Sequence, residues 1–279
     1  MKGTRVTMKT IISILFIIVI GFSFSNAMGV EQKQSGTTYV LIVSGINRDP
    51  NDRLAKSKAV AGLYQFFLND AGVTPERLKV LVGNKSTTLK NSEISTAESL
   101  KRQMYKLAAS VNPRDRFIFY YIGQANVVSE TLRFNLPGPD ITHKQMAEWI
   151  NAVKASSMLI VLDCPCADLA VKALTGQGRI IIAASTAEQP YSTKFSEYFV
   201  PALIDKDGDT DGDGRISLLE AFTSASKGVD EFYRRQSLLT TETPVLEDNA
   251  DGSASQQPWR YEQNKTDGMA ASRFFLSGE

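Results

Sequence analysis

The sequence predicts an α/β fold: a mostly parallel sheet with helices on both faces, making three layers. Two observations predict it. Five short runs are apolar throughout and do not alternate with polar residues, the pattern of strands buried on both faces. Between these runs lie segments with helical spacing of apolar residues, and strands that alternate with helices imply parallel pairing through crossovers.

The elements follow in order. TYVLIVSG (38–45) reads as the first strand. LAKSKAVAGLYQFFLNDAG then places Val60, Leu63 and Phe67 on one helix face, with Gly72 as its stop. LKVLVG (78–83) is the second strand. STAESLKRQMYKLAASV opens with a capping-box pair, Ser95 and Glu98, and carries Leu100, Met104, Leu107 and Val111 on one stripe. FIFYYIG (117–123) is the third strand. THKQMAEWINAV opens with a second box, Thr142 and Gln145, and buries Met146, Trp149 or Ile150, and Val153. MLIVLD (158–163) and RIIIAAS (179–185) are the fourth and fifth strands. In such sheets ligands collect at the carboxyl ends of strands, near the point where strand order switches. The positions to inspect are therefore Gly45, then Gly123, Gln124 and Ala125, then Asp163 to Asp168, and finally Ser185 to Glu188.

Composition fits this class. Of 279 residues, 43% are hydrophobic and 22% charged, enough for one sizeable core, and no repeat period or low-complexity tract interrupts it. Residues 1–27 stand apart. Lys2, Arg5 and Lys9 precede an apolar run over 11–22, and Ser25, Asn26 and Ala27 supply small residues for cleavage, the pattern of a secretory signal peptide. The expectation is an exported chain, periplasmic or extracellular. The alternative is a retained anchor over residues 10–25, the only part expected to meet a membrane. Removing 1–27 takes away three basic residues and no acidic ones, so the formal charge falls from +1 to −2. No basic stripe with interleaved aromatics suggests nucleic-acid binding. The expected organisation is a linker over 28–37, an α/β domain over 38–252 and a C-terminal tail over 253–279.

At the strand ends the chain resembles the caspase–haemoglobinase fold and, within it, the legumain-like cysteine peptidases. The likeness spans roughly residues 38–252. Gly45 is followed by a long helix. YYIGQA stands where the family has an apolar run ending in Gly-His-Gly, and LDCPCAD where it has Asp-x-Cys and then Ser-Gly. RIIIAASTAEQ is similar to the strand and Ala-Ser turn that line the family's substrate groove. FSEYFVPAL, DGDGRISLLEAF and TETPVLEDNADG look like the C-terminal part of bacterial relatives. The resemblance implies a groove lined by Gly123, Gln124, Ala125, Asp163, Cys164, Cys166 and Ser185.

The departures bear on chemistry. The family's catalytic histidine falls on Gln124 and its nucleophile on Pro165, with Cys164 and Cys166 on either side. A cysteine peptidase needs a thiolate and a base that takes and returns a proton near neutral pH. Glutamine does not titrate, and proline offers no nucleophile. The single histidine, His143, is expected to face solvent in the first turn of its helix. For the two cysteines, the leading expectation is small buried residues at a strand end. The alternatives are a reactive CxC pair, with Cys166 or Cys164 as a fallback nucleophile, and an incomplete metal site. A disulfide is permitted in an oxidising compartment, but closing it across one proline is strained.

A more specific motif is DTDGDGRISLLE, 209–220, which matches the twelve-residue EF-hand loop position by position. Asp209, Asp211 and Asp213 hold positions one, three and five, and Gly214 holds the sixth. Arg215 contributes its carbonyl, Ile216 is the apolar eighth residue, Ser217 the ninth, and Glu220 the bidentate twelfth. The cofactor expected is one Ca²⁺. KFSEYFVPALIDK reads as the entering helix, kinked at Pro201, and LLEAFTSASKGVDEFYRRQ as the exiting one. EDNADG (247–252) is a second acidic turn, read here as having the wrong spacing and lacking the late glutamate.

Three functions are open: a non-catalytic, exported, peptidase-like domain that binds calcium and a peptide or protein in its groove; an atypical cysteine peptidase; and a calcium-dependent structural or interaction protein.

Overall fold

The computed structural model describes residues 36–84, 89, 92–262 and 266–277. The segment read as a leader and most of the linker lie outside the described residues.

Strand β1 (Thr38–Ser44) leads through α1 (Pro50–Asn69) to β2 (Leu78–Val82) and the short β3 (Glu93–Ile94). Helix α2 (Ala97–Ser110) returns the chain to β4 (Arg116–Ile122). A small antiparallel sheet follows, made of β5 (Ala125–Val128), β6 (Thr131–Phe134) and β7 (Ile141–Thr142). Then come α3 (His143–Ala152), β8 (Ser157–Asp163), the single-turn α4 (Val171–Leu174) and β9 (Arg179–Ala183). The chain ends through α5 (Phe195–Ala202), α6 (Leu218–Arg235) and β10 (Val245–Glu247).

The central sheet has seven strands in the order β10-β9-β8-β4-β1-β2-β3, and every pairing is parallel except β10 with β9. Strand order reverses at β1: the chain moves outward to β2 and β3, then returns to place β4 on the other side. This puts the switch point between β1 and β4.

The period-two geometry of strands explains why the five runs are apolar throughout. Val40 and Ile42 face one layer, packing with Val60, Leu63 and Phe67 of α1, Phe195 and Phe199 of α5, and Phe222 of α6. Leu41 and Val43 face the other, with Leu100 and Met104 of α2, Met146 and Ile150 of α3, and Val171 and Leu174 of α4. Each strand therefore feeds two cores. Residues beyond β10 pack on the same unit: Ser255 bridges Leu246, Phe275 bridges Ser217, and Phe274 and Leu276 enter the core on the α1 side. Among the described residues, no helix is long and apolar enough to cross a membrane.

Three local expectations are corrected. The N-cap of α2 is Thr96, whose hydroxyl accepts from Ser99 N at 3.1 Å. Ser95 instead donates to the carbonyl of Ser44 at 2.6 Å and ties the edge of the sheet to β1. His143 is buried, because β6 packs beside the start of α3 and brings the Leu132 carbonyl 3.4 Å from its Nδ1. Burial lowers its pKa, opposed by that carbonyl and supported by Lys144. Pro201 ends α5 instead of kinking it, since the helix stops one residue later. The capping box at α3 forms as expected between Thr142 and Gln145.

Candidate functional site

The carboxyl ends of β1 and β4 meet at two glycines. A Cβ on Gly123 would lie 2.8 Å from the Gly45 Cα, and one on Gly45 would lie 2.2 Å from the Tyr121 hydroxyl, so only glycine allows the two backbones to approach this closely. Tyr121 Oη then donates to the Gln124 carbonyl at 2.7 Å. Backbone bonds from Gln124 N to Ile46 O and from Asn135 N to Gln124 O hold the turn. Beyond it opens a cleft of ≈ 740 Å³ lined by Arg48, Asp49, Gln124, Asn126, Asn135 and Asp140, among others. It lies at the switch point of the sheet. Three of these residues carry side-chain amides. Gln124 also donates from Nε2 to Ser192 Oγ at 3.2 Å.

The end of β8 is closed. Asp163, Cys164, Pro165, Cys166 and Ser185 are all buried, and none of them lines that cleft. Of the expected groove residues, only Gln124 and Ala125 do. Ser185 donates to the Cys164 carbonyl at 2.9 Å and accepts from Ala167 N at 3.3 Å, pinning the turn after β8 to the end of β9. Cys166 takes a left-handed conformation, φ +54, within that turn. Both cysteines are free thiols. Burial raises the Cys164 thiol well above its usual range; Asp163 adds to this and Lys56 offsets part of it. Burial and Glu188 raise Cys166. A nucleophilic cysteine requires the opposite shift.

Asp163 turns into the core on the α1 side. Its Oδ2 accepts from Ser196 N at 3.1 Å and from the Ser196 hydroxyl, which is 2.7 Å from Tyr120 Oη. Its Oδ1 has no hydrogen-bond partner but lies 3.7 Å from Lys56 Nζ. Lys56 donates to the carbonyl and hydroxyl of Thr193 at 3.2 and 3.0 Å. Beside them Glu242 accepts from Phe195 N at 2.8 Å and Lys194 N at 2.7 Å, closing the start of α5. Burial, then Asp163, pushes its carboxyl up to about 8, against the pull of the two amides and Lys56. The sequence reading missed this buried polar group. One signal was present: Lys56 precedes Ala59, Val60 and Leu63 at helical spacing, so it lies on the buried stripe of α1.

The acidic loop behaves differently. Asp209, Asp211 and Asp213 each present a carboxylate oxygen, all within 4.8 Å of one another. Asp209 accepts from Gly212 N and Gly214 N, Asp211 from Asp213 N, and Asp213 from Arg215 N. Glycines at φ +75 and +85, Gly212 and Gly214, allow the winding. Glu220 reaches back across the loop. One oxygen accepts from Thr210 N at 2.7 Å and the other from Ser217 N at 2.9 Å, completing a capping box on α6. Burial pushes its carboxyl up, but the Ser217 and Thr210 donors together bring it below its usual value. Ile216 packs on the core, and Arg215 lies over the Phe275 ring, 3.6 Å from its centre. The set offers hard oxygen donors in the order that an EF-hand loop uses, and calcium is the ion that such donors suit.

No model of a known family matches the chain, and no curated protein is similar to it in sequence. Solved structures do show a likeness. The chain is similar to the Drosophila initiator caspase Dronc, at 11% identity and a TM-score of 0.48, over 85% of this chain and 84% of that one. It is also similar to a secreted C11 cysteine protease from Bacteroides thetaiotaomicron, solved with an irreversible peptide inhibitor. That match has 11% identity and a TM-score of 0.42, over 76% of this chain and 66% of that one. At such values the likeness decides nothing about chemistry, which rests on the residues described above.

Proposed function

We propose that this chain is an exported, non-catalytic, peptidase-like α/β domain that binds calcium through residues 209–220 and a peptide or protein segment in the cleft beside Gln124. The observation that carries the non-catalytic part is the state of the two thiols. Both are buried and shifted away from thiolate, and the one histidine is occupied against Leu132. An active peptidase would need an exposed thiolate paired with a base. The cleft supports the binding part. Asn135 donates both its N–H groups to Asn126 Oδ1 and Asp140 Oδ2, and Gln124 gives one to Ser192, which leaves the Asn135 and Gln124 carbonyls to accept from a peptide backbone and the Asn126 amide and the second Gln124 N–H to donate to it; Arg48, Asp49 and Asp140 add charge to the lining.

The test is a peptide-array binding screen run beside a cleavage assay on the same peptides. Binding without cleavage, weakened about tenfold by Gln124→Ala, supports the reading; cleavage lost in Cys166→Ala or Cys164→Ala overturns it. Export rests on residues 1–27, and N-terminal sequencing of the protein recovered outside the cytoplasm checks it. The remaining reading, a calcium-dependent interaction protein with a vestigial cleft, is favoured if no peptide binds and partner binding is lost in Glu220→Gln.

A further inference from the structure

The loop that follows β10 repeats the conformation of residues 209–215. In the 209–215 loop the fourth and sixth positions, Gly212 and Gly214, have positive φ. Counted from Glu247, the fourth and sixth positions are Ala250 at φ +67 and Gly252 at φ +80. In both loops the third and fifth side chains accept from amides two residues on. The pairs here are Asp251 N to Asn249 Oδ1 at 2.9 Å and Ser253 N to Asp251 Oδ1 at 2.7 Å. The spacing expected to be wrong comes into register with residues 209–215 when Glu247 is taken as the first position.

Glu247 is the decisive residue. It is fully buried, and neither carboxylate oxygen accepts a hydrogen bond of normal geometry. The donors that face it are the amides of Gly252 and Ala250 and the Thr175 hydroxyl, so the side chain turns back into its own loop. Burial holds its carboxyl above the usual range, these donors offset part of that, and Asp267 adds to it. Asp267 is also buried, and it accepts from Asp248 N at 3.0 Å and Ser255 Oγ at 2.6 Å. Among the described residues no Lys or Arg lies within ion-pair distance of Glu247, Asp248, Asp251 or Asp267. A buried carboxylate without a charged partner is unfavourable unless it is protonated or meets a cation.

We propose that Glu247, Asn249 and Asp251 form a second divalent-cation site, taking calcium through two carboxylates and one amide oxygen. Hard, oxygen-only donors suit calcium, with backbone carbonyls and water making up the roughly six to eight oxygens the ion takes, and the antiparallel bridge between Leu246 and Ser255 closes the loop around them. The site stands on residues outside 209–220, so the two sites succeed or fail separately.

The test is calorimetric titration of the full chain with Ca²⁺ alone, on the wild type, Glu220→Gln, Asp251→Asn and Glu247→Gln. Asp251 is exposed, so its variant keeps the fold if the buried Glu247 variant does not. The expected result is two ions in the wild type and one in Glu220→Gln, with the ion retained by Glu220→Gln weakened at least tenfold when Asp251→Asn is added. A single ion abolished by Asp251→Asn but not by Glu220→Gln upholds this site and removes the 209–220 one. A wild type that binds no more than one ion, lost in Glu220→Gln and unchanged in Asp251→Asn and Glu247→Gln, overturns the proposal. So does a chain that binds none.

Discussion

Lys56 Nζ lies 3.7 Å from Asp163 Oδ1, and both side chains are buried. The contact joins α1 to the end of β8 and, through Ser196 and Thr193, to the start of α5. Removing one partner leaves a charge buried without compensation, which costs about 3–5 kcal/mol. Lys56→Met and Asp163→Asn should each lower the unfolding free energy by that order in urea denaturation. The double variant should lose less than the sum, because neither charge is then orphaned. Single-variant losses below about 1 kcal/mol would show that the pair contributes little.

Glu242 makes stability depend on pH. Its folded-state pKa is raised to about 8 from the ordinary 4.5. An acid with a raised folded pKa prefers the folded state when protonated. Its contribution is therefore complete below pH 4.5 and is lost as pH rises through 8. Melting temperature should fall over this window, and Glu242→Gln should flatten the fall by an amount on the order of a few kcal/mol in free energy. Parallel wild-type and variant profiles would rule out Glu242 as the source.

The thiols give a third prediction. In the folded protein at pH 7, alkylation of Cys164 and Cys166 should run at least ~100-fold slower than for a free thiol, because burial blocks access and both pKa values are raised. Labelling should become complete in denaturant. Rapid native labelling of either residue would restore the nucleophile reading.

Glu220 caps α6 and is also a ligand in the proposed calcium site, and calcium separates the two roles. Without calcium, Glu220→Gln has one acceptor oxygen where the carboxylate uses two, so it can keep the capping box with Ser217, as Gln145 does in α3, or the bond from Thr210 N, but not both; it should cost about 1 kcal/mol, seen as a small drop in melting temperature. With millimolar calcium the wild type should gain several degrees that the variant does not. An equal gain in both would place the bound ion elsewhere, and Asp251→Asn would then show whether it sits at the Glu247 loop.

The central strands and long helices were legible because each buries an apolar surface whose period appears directly in the residues. The hairpin of β5 and β6 was not. Its two-residue turn, Ser129 and Glu130, has positive φ at both positions but contains neither glycine nor asparagine, so the usual signal is missing. Strand β10 is three residues long and reads as loop until β9 offers it an edge. His143 looked exposed because its burial comes from β6, eleven residues away and bonded through Leu132.

Sequence alone determined the α/β class, the glycines at the ends of β1 and β4, and the order of the carboxylate and hydroxyl side chains in residues 209–220. These are local properties: residue type, period and spacing. Tertiary structure decided where the chemistry can occur. It sealed Asp163, both cysteines and Ser185 behind packed backbone and left an amide-lined cleft at the switch point. It also assembled Lys56, Asp163, Ser196 and Glu242 from four separate segments. Burial, and the pKa shifts it causes, depend on which segments meet, and no local spacing encodes that.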